Sequence, residues 1–281
     1  MNARCTLHER FSTNPTDLRR WLFDAMLADL PAQARVLELG CGPGDLWLVN
    51  RERVPPNWSI TLTDASPGMV RGAARRLGDD QPRYQFGVAD AETLPFADGS
   101  FDAVLAHFML YHVPDRPRAF AEIRRVLRPD GSLHAATNGR DHLRELRQLT
   151  VAAGLSRLDT TATGDAPAFS LENGADQLTR WFDPVTLHRR QDSLAVTAVV
   201  PLVAAILSSC EVQATLDQLS DAETEVRITQ LSTTLRTAIN QHGAVRIRKE
   251  SGLFIARVRQ TTPDAAPMSD QSTIPSRSCR R

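Results

Sequence analysis

The stretch Val36-Leu37-Glu38-Leu39-Gly40-Cys41-Gly42-Pro43-Gly44 passes from a β-type apolar run into a turn in which every second residue is glycine. Glycine lets the backbone turn sharply and lets a ligand approach the main chain directly. A helical pattern follows, and the first turn of a helix carries main-chain N–H groups without internal partners. The stretch therefore predicts a strand, a turn and a helix, with the turn either binding a ligand or serving only as a tight connection.

The same alternation of short β-type runs and amphipathic segments continues along the chain. This alternation is typical of a parallel sheet with helices on both faces. We predict strands over residues 35–39, 59–63, 84–88, 101–106, 132–137, 193–200 and 252–258. We predict helices over residues 69–77, 116–127, 141–153, 202–208 and 216–240, with a turn at Pro129-Asp130-Gly131 before the fifth strand.

Composition narrows the class of protein. The 281 residues are 42% hydrophobic, which excludes wholesale disorder. Lys plus Arg and Asp plus Glu both number 33, whereas a nucleic-acid binder usually carries a basic excess. Lys249 is the only lysine, and the cysteines are too widely spaced to predict a disulfide framework or a metal site: Cys5, Cys41, Cys210 and Cys279. With no signal-peptide pattern and no apolar run of roughly 20 residues, we expect a cytoplasmic protein.

Acidic residues follow the second and third predicted strands. Asp64 can accept hydrogen bonds from both hydroxyls of a ribose, or it can cap the next helix. Asp90 opens the segment Ala89-Asp90-Ala91-Glu92-Thr93-Leu94-Pro95-Phe96, which is either part of a ligand site or a solvated acidic loop. Because the carboxyl ends of parallel strands share one edge of a sheet, these carboxylates are expected near the glycine turn.

The glycine spacing separates two cofactor classes. A dinucleotide site needs Gly-x-Gly-x-x-Gly, which would place the third glycine at Asp45, where a carboxylate would repel a pyrophosphate. The E-x-G-x-G-x-G form instead resembles motif I of the class I S-adenosylmethionine (SAM) dependent methyltransferases. The D-A-x-x-L-P-F segment and the turn Arg125-Val126-Leu127-Arg128-Pro129-Asp130-Gly131 also resemble that family, in its methyltransferase-11 or ubiquinone-biosynthesis-like small-molecule type.

The resemblance is strong over residues 34–138 and implies a fold and a domain plan. The implied fold is a Rossmann-like three-layer α/β sandwich with a mostly parallel seven-stranded sheet. Residues 1–33 would form a helical N-terminal lid and residues 34–138 the SAM-binding core. Residues 139–192 would be a cap or substrate-binding insertion, and residues 193–259 would complete the core. The polar tail at 260–281 is expected to be disordered.

The resemblance also implies roles for individual residues. The glycine turn would contact the amino-acid part of SAM, Asp64 the ribose, and Asp90 the adenine amino group. The main chain at Ala91 or Glu92 would meet the adenine ring, and the carbonyl of His107 would meet the SAM ammonium. The expected cofactor residues are Glu38, Gly40, Cys41, Gly42, Gly44, Asp64, Ala65, Asp90, Ala91, Glu92 and His107.

Methyl transfer to a hydroxyl or an ammonium also needs a group that takes up a proton. His107 and His112 are the candidate bases, because imidazole titrates near neutral pH. Either histidine can instead simply pack or form a hydrogen bond. Residues 11–14 and Trp21 are expected to fold over the cofactor, although an ordinary surface helix fits them equally. The residues expected around the acceptor are Asn138, His142, Phe169, Glu172, Asn173 and Trp181.

We therefore predict methyl transfer from SAM to an O, N or C atom of a small organic molecule, with no nucleic-acid or membrane partner and a homodimer left open. A nucleic-acid methyltransferase is disfavoured, because the stretch after the fourth strand, His107-Phe108-Met109-Leu110, lacks the Pro-Pro-aromatic pattern of such enzymes. A domain that binds SAM without turnover stays an alternative, since binding residues do not prove catalysis.

Overall fold

A single seven-stranded sheet organises the protein. The computed structural model describes residues 3–78, 83–156 and 169–258. The strand order is β3-β2-β1-β4-β5-β7-β6. Strands β1 to β5 are parallel and β7 runs antiparallel to both of its neighbours, which confirms the predicted mostly parallel sheet. The bounds are β1 Arg35–Leu39, β2 Ser59–Asp64, β3 Tyr84–Val88, β4 Phe101–His107, β5 Leu127–Asn138, β6 Val185–Val196 and β7 Val245–Arg257.

Helices cover both faces of the sheet and one of its ends. In the described ranges they are α1 Ala3–Phe11, α2 Leu18–Asp29, α3 Asp45–Val49, α4 Pro67–Leu77, α5 Arg116–Val126, α6 Arg144–Ala152, α7 Gly174–Leu178, α8 Val199–Leu207, α9 Cys210–Leu216 and α10 Asp221–His242. Within these ranges no single helix is long and apolar enough to span a membrane. The pair α8 and α9 passes that test together, but it is bent by 81°.

Side-chain caps explain where several helices begin. The Asp115 carboxylate accepts from the main-chain N–H of the third residue of α5 at 3.1 Å. Ser220 and Glu223 form a reciprocal capping box at the start of α10, and Gly243 ends that helix in the left-handed conformation. The helix predicted over residues 216–240 therefore corresponds to α10, which begins only at Asp221, whereas α9 ends at Leu216.

Alternate residues of the strands build two cores, one on each face of the sheet. One face packs against α5 and α7 through Leu37, Val104, Phe120, Ile123, Phe169 and Phe254. The other face packs against α2, α3 and α4 through Phe23, Met26, Val36, Trp47, Ile60 and Leu105. The two-residue period of the strands thus places neighbours such as Val36 and Leu37 in different cores.

A buried polar network fixes the carboxyl end of α2 against the sheet. Asp29 accepts from the Ser132 hydroxyl at 2.8 Å and lies 2.8 Å from Nε2 of His134, and Arg257 also pairs with it. Burial alone would raise the pKa of Asp29. The hydrogen bonds from His134 and Ser132, with the charges of His134 and Arg257, outweigh burial and lower that pKa to about 2.

A third core lies beyond the carboxyl end of β5. β5 pairs only with residues 251–257 of β7, so residues 245–250 of β7 and their partners in β6 project past the sheet. Helices α1, α6, α8, α9 and α10 contribute to a cluster on this projecting ribbon, named here the cap core: Leu7, Leu146, Leu155, Leu194, Val196, Leu202, Ala205, Ile206, Val212, Leu231, Leu235 and Ile247.

Several predicted boundaries were wrong in the second half of the chain. β6 begins at Val185 and not at residue 193, so residues 185–192, assigned above to the insertion, lie in the sheet. β7 begins at Val245, and α6 begins only at Arg144. The turn predicted at residues 129–131 is a bulge inside β5, where the pairing of Phe101 with Leu127 jumps to that of Ala103 with Ser132. The stretch 157–168 and the tail from residue 259 lie outside the described residues.

Candidate functional site

The parallel strands bring the predicted polar residues to one edge of the sheet. In the ladder Leu39 pairs with Thr63, Asp64 with Val88, and His107 with Ala136. The glycine turn, Asp64, the Asp90 segment and His107 therefore follow neighbouring strands at the same carboxyl edge, where open α/β sheets bind ligands.

The three glycines of the turn all have the left-handed conformation, with φ of 65° at Gly40, 53° at Gly42 and 77° at Gly44. A Cβ atom on Gly40 would lie 2.8 Å from Cβ of Met109, so the chain after β4 packs directly on that glycine. A Cβ atom on Gly42 would meet nothing within 4 Å. Gly40 is thus required by packing, whereas Gly42 leaves an open approach to the main chain.

Glu38 lies beneath the turn and not on its surface. Its side chain is buried and accepts from Nε1 of Trp47 at 2.5 Å. Burial raises the pKa of Glu38 to about 8, with the Trp47 hydrogen bond acting in the opposite direction and the Asp64 charge adding to the rise. Burial likewise raises the pKa of the Cys41 thiol, and the charges of Glu38 and Asp64 add to that. Glu38 therefore shapes the turn from below as a carboxyl group that is neutral at neutral pH.

Asp64 connects the turn to the end of β2. Its Oδ2 accepts from the main-chain N–H of Gly42 at 3.0 Å and its Oδ1 from that of Ser66 at 2.8 Å. The N-cap of α4 is Ser66, so the alternative that Asp64 caps that helix was wrong. A carboxylate has about four acceptor positions, and two of those on Asp64 therefore stay available to hydroxyl donors.

The Asp90 segment folds back on itself and on α5. The Asp90 carboxylate accepts from the N–H of Glu92 at 2.9 Å, and the Glu92 carboxylate accepts from the N–H of Asp115, also at 2.9 Å. Ala91 is buried, and Arg125 donates to the carbonyl of Phe96 at 2.7 Å. The Glu92 side chain therefore supports the start of α5, while the Asp90 side chain stays exposed at the rim of the edge.

Two apolar side chains are exposed on β3 and α4, the elements next to Asp64 in the ladder and along the chain. Val88, its neighbour in the ladder, is 54% exposed, and Met69 in the first turn of α4 is 46% exposed. Exposed apolar groups near hydrogen-bond acceptors with free positions suit a ligand with a flat apolar ring and a polar rim. These two residues could not be recognised from the sequence, because nothing local distinguishes an exposed valine or methionine from a buried one.

The two candidate bases have different surroundings. Both ring nitrogens of His107 are inaccessible to solvent and have no hydrogen-bond partner among the described residues. Burial, and then the charge of His134, lower the pKa of His107 to about 3. His112 is exposed in the short 3₁₀ turn Leu110–His112, where its ring meets that of Tyr111 edge-on at 4.5 Å. His107 is therefore neutral at physiological pH, and its ring nitrogens are closed off from solvent.

The residues expected around the acceptor do not form one group. Asn138 accepts from the Ser251 hydroxyl at 2.8 Å, and Asn173 accepts from the main chain of Ser170 at 2.8 Å. Phe169 lies in the sheet core against Phe254 rather than on a pocket wall, and Trp181 packs partly buried against the same core. Glu172 accepts from the main chain of Arg140.

His142 is the member of that set that lines a described cavity. Its Nδ1 lies 3.1 Å from the main chain of Glu250. Burial, and then the charge of His8, lower the pKa of His142 to about 4. The cavity of about 240 Å³ lies between α6, α8 and α9, with Leu146, Arg147, Ile206 and Glu211 among its other lining residues.

Asp45 does not stand alone beside the glycine turn. Nη1 of Arg76 lies 2.6 Å from its carboxylate and donates to the carbonyl of Pro43 at 2.8 Å. Arg76 therefore offsets part of the negative charge on which the argument against a pyrophosphate rested. The missing third glycine remains an argument against a dinucleotide.

Comparison with known proteins agrees with this geometry. Residues 36–131 match the sequence profile of a family described as "Methyltransferase domain". Over 99 residues the chain is 40% identical to the ubiquinone/menaquinone biosynthesis C-methyltransferase of Bordetella avium, covering 35% of this chain and 39% of that protein. Over 126 residues it is 38% identical to the malonyl-[acyl-carrier protein] O-methyltransferase of Geobacter sulfurreducens, covering 45% and 46%. The chain thus spans less than half the length of both relatives.

Solved structures show the same fold. The YcgJ protein of Bacillus subtilis aligns with a TM-score of 0.54 at 18% identity, over 86% of this chain and 99% of that one. A phosphoethanolamine N-methyltransferase of Haemonchus contortus, in complex with phosphomonomethylethanolamine and S-adenosylhomocysteine, aligns with a TM-score of 0.52 at 16% identity, over 86% and 53%. At these identities the likeness concerns the fold. Residues 36–131 therefore match a methyltransferase domain, and the curated proteins that resemble this part of the chain are methyltransferases.

Proposed function

We propose that this protein binds SAM at the carboxyl edge of its sheet and transfers the methyl group to an O, N or C atom of a small organic molecule. The observation that carries the proposal is the open main chain at Gly42, joined by a hydrogen bond to a carboxylate with free acceptor positions on Asp64. The proposal places the protein in the cytoplasm, without a nucleic-acid or membrane partner. A homodimer is compatible with it.

The residues at the edge fit the parts of SAM. The open approach at Gly42 suits the amino-acid part, and the remaining acceptor positions of Asp64 suit the ribose hydroxyls. Val88 and Met69 supply apolar surface for the adenine ring, with the exposed carboxylate of Asp90 at its rim. SAM supplies an electrophilic methyl group when bound.

The contribution of the protein is mainly to hold the cofactor and the acceptor in line and to exclude water. His107 is a poor proton acceptor because its pKa is lowered to about 3, so the proposal leaves it only the contact of its main-chain carbonyl with the SAM ammonium. The exposed His112 stays the candidate for taking up a proton. Residues 1–33 serve as the lid, and the acceptor binds between His107 and the cap core.

Calorimetric titration with SAM and with S-adenosylhomocysteine tests the proposal. Wild-type protein should bind both, whereas Gly42→Arg and Asp64→Ala should abolish or greatly weaken binding. Gly78→Arg is the matched control, since Gly78 also has a positive φ and open space around it, but lies at the end of α4. Failure of well-folded wild-type protein to bind either compound would exclude the proposal, and binding of NADH instead would favour an oxidoreductase.

A further inference from the structure

A buried ion cluster lies on the β6–β7 ribbon, apart from the residues of the proposed cofactor site. Asp192 and Lys249 are partners in the ladder, and Nζ of Lys249 lies 2.5 Å from the Asp192 carboxylate. Nη1 of Arg190 lies 2.6 Å from the same carboxylate. The three side chains are 1%, 9% and 4% exposed, respectively. Charged groups are rarely buried to this degree unless they are paired with one another.

The cluster holds the segment that joins α1 to α2. The Ser12 hydroxyl lies 2.7 and 2.8 Å from the two carboxylate oxygens of Asp192, and the main-chain N–H of Asn14 donates to one of them at 3.1 Å. Arg190 donates to the carbonyl of Thr16, and Nζ of Lys249 reaches the Ser12 hydroxyl at 3.3 Å. Asp192 is thus the shared side-chain acceptor for residues 12–16, named here the strap, which also pairs with the main chain of β6 through Thr13 and Ser193.

The strap runs from the cap core towards the glycine turn. At one end, α1 is anchored in the cap core by Leu7. At the other end, the first turn of α2 adjoins α3, because Asn50 donates to the carbonyl of Arg19 at 3.1 Å. The strap itself pairs with Ser193 and Leu194 on the part of β6 that projects past the carboxyl end of β5, so it lies on the side of the sheet at which the cofactor site is proposed.

The strap is held mostly by polar contacts. Its side chains are Ser12, Thr13, Asn14, Pro15 and Thr16, and the proline is exposed. Lifting the strap therefore exposes little apolar surface. The attraction within a buried ion cluster is largely offset by the cost of removing its charges from water. Local opening of the strap is accordingly cheap, whereas α1 and α2 stay packed in their cores.

We propose that Asp192 is a positioning residue that locks the strap over the carboxyl edge, and that the strap lifts to admit the cofactor and closes when it is bound. The link to the cofactor rests on the proposed function, whereas the lock itself does not. Removing the Asp192 charge leaves Arg190 and Lys249 without their counter-ion, which favours the lifted state.

Lys249 provides the readout, because it is the only side-chain amine in the chain. Acetylation of the full-length protein by an N-hydroxysuccinimide ester, followed by peptide mass spectrometry, measures the exposure of Lys249 against the α-amine as internal reference. We expect slow modification of Lys249 in the wild type, slower still with saturating S-adenosylhomocysteine, and modification about tenfold faster in Asp192→Asn.

Two controls separate local opening from other effects. Asp217→Asn alters an exposed acid of the cap and should leave the rate unchanged. Ile123→Ala destabilises the core beneath α5 and should lower the melting temperature about as much as Asp192→Asn does. Lys249 should nevertheless stay protected in this variant, which excludes global unfolding as the cause of faster acetylation. An Asp192→Asn protein in which Lys249 stays as protected as in the wild type would overturn the lock.

The coupling to the cofactor has its own readout. Asp192→Asn should weaken S-adenosylhomocysteine binding about tenfold, mainly through faster dissociation, and Asp192→Glu should restore part of the affinity. Faster acetylation of Lys249 in Asp192→Asn with unchanged affinity for S-adenosylhomocysteine would refute the coupling to the cofactor. It would still support the role of Asp192 in locking the strap. If the wild type binds neither SAM nor S-adenosylhomocysteine, the proposed function fails, and the acetylation rates still decide the lock.

Discussion

The main-chain N–H of Gly42 donates to Oδ2 of Asp64 at 3.0 Å, so one carboxylate both shapes the glycine turn and faces the edge at which a ligand can bind. The turn and the end of β2 are therefore one unit. A substitution at Asp64 affects the ligand and the shape of the turn together, and the two effects can be separated by the choice of substitution.

Asp64→Asn should separate them. The amide oxygen can still accept from Gly42 or Ser66, so we expect the melting temperature to stay close to that of the wild type. The loss of charge and of acceptor positions should weaken S-adenosylhomocysteine binding about 10- to 100-fold. Asp64→Ala should lower both affinity and melting temperature. Wild-type affinity in Asp64→Asn, measured by calorimetry, would contradict the ribose role.

Gly40→Ala should destabilise the protein by about 2–4 kcal/mol. The left-handed φ costs about 1–2 kcal/mol for a residue with a Cβ, and the 2.8 Å approach to Cβ of Met109 adds an overpacking cost. Gly78→Ala shares the positive φ without the contact and should cost only about 1–2 kcal/mol. Urea denaturation of both variants measures the difference. Equal losses of unfolding free energy in the two variants would show that the chain after β4 moves away from the added methyl group without cost.

Glu38 should make stability fall as the pH rises. Its pKa is raised from 4.5 to about 8, so the folded protein keeps a proton that the unfolded chain releases across that window. Linkage then lowers the free energy of unfolding by about 3 kcal/mol between pH 5.5 and pH 8. Glu38→Gln should remove this dependence. Parallel slopes for the variant and the wild type in urea denaturation at both pH values would be inconsistent with a neutral Glu38.

Asp29 should show the opposite dependence. Its pKa is lowered to about 2, so its contribution is complete above its unfolded pKa near 3.8 and disappears as the pH falls towards 2. Asp29→Asn should cost about 2–4 kcal/mol at neutral pH, because His134, Ser132 and Arg257 lose their shared acceptor. The difference from the wild type should shrink below pH 4.

Asp24→Asn, on an exposed part of the same helix, is the control for Asp29→Asn. Asp24 pairs with Arg53 at the surface, and such pairs contribute little. A loss equal to that of Asp29→Asn would indicate a general effect on α2 and not the network at its carboxyl end.

The first half of the fold could be predicted because its signals are local. The glycine turn, Asp64 and the Asp90 segment each follow a strand within a few residues, and parallel pairing brings strand ends together without further information. The β6–β7 ribbon could not be predicted in the same way. Arg190 and Asp192 resemble a polar loop, and their burial depends on Lys249, 57 residues from Asp192 along the chain.

The residues predicted around the methyl acceptor do not form one group, for a related reason. Phe169 stands in an irregular stretch, as a pocket residue often does, yet it packs between Phe120 and Phe254. Whether an aromatic side chain in a loop turns into the core or towards a ligand depends on contacts distant in sequence. The lone lysine was visible in the composition, but only its ladder partner gives it a role.

Among the described residues, the cap core shares none of its buried side chains with the two sheet cores. Mutations that accumulate in α8, α9 and α10 therefore need no compensating change around the glycine turn. The two halves can diverge at different rates during evolution. Exchange of residues 197–244 between homologues should accordingly leave both sheet cores intact, whereas the cap core would combine side chains of two parents, because Leu7, Leu146 and Ile247 lie outside the exchanged range.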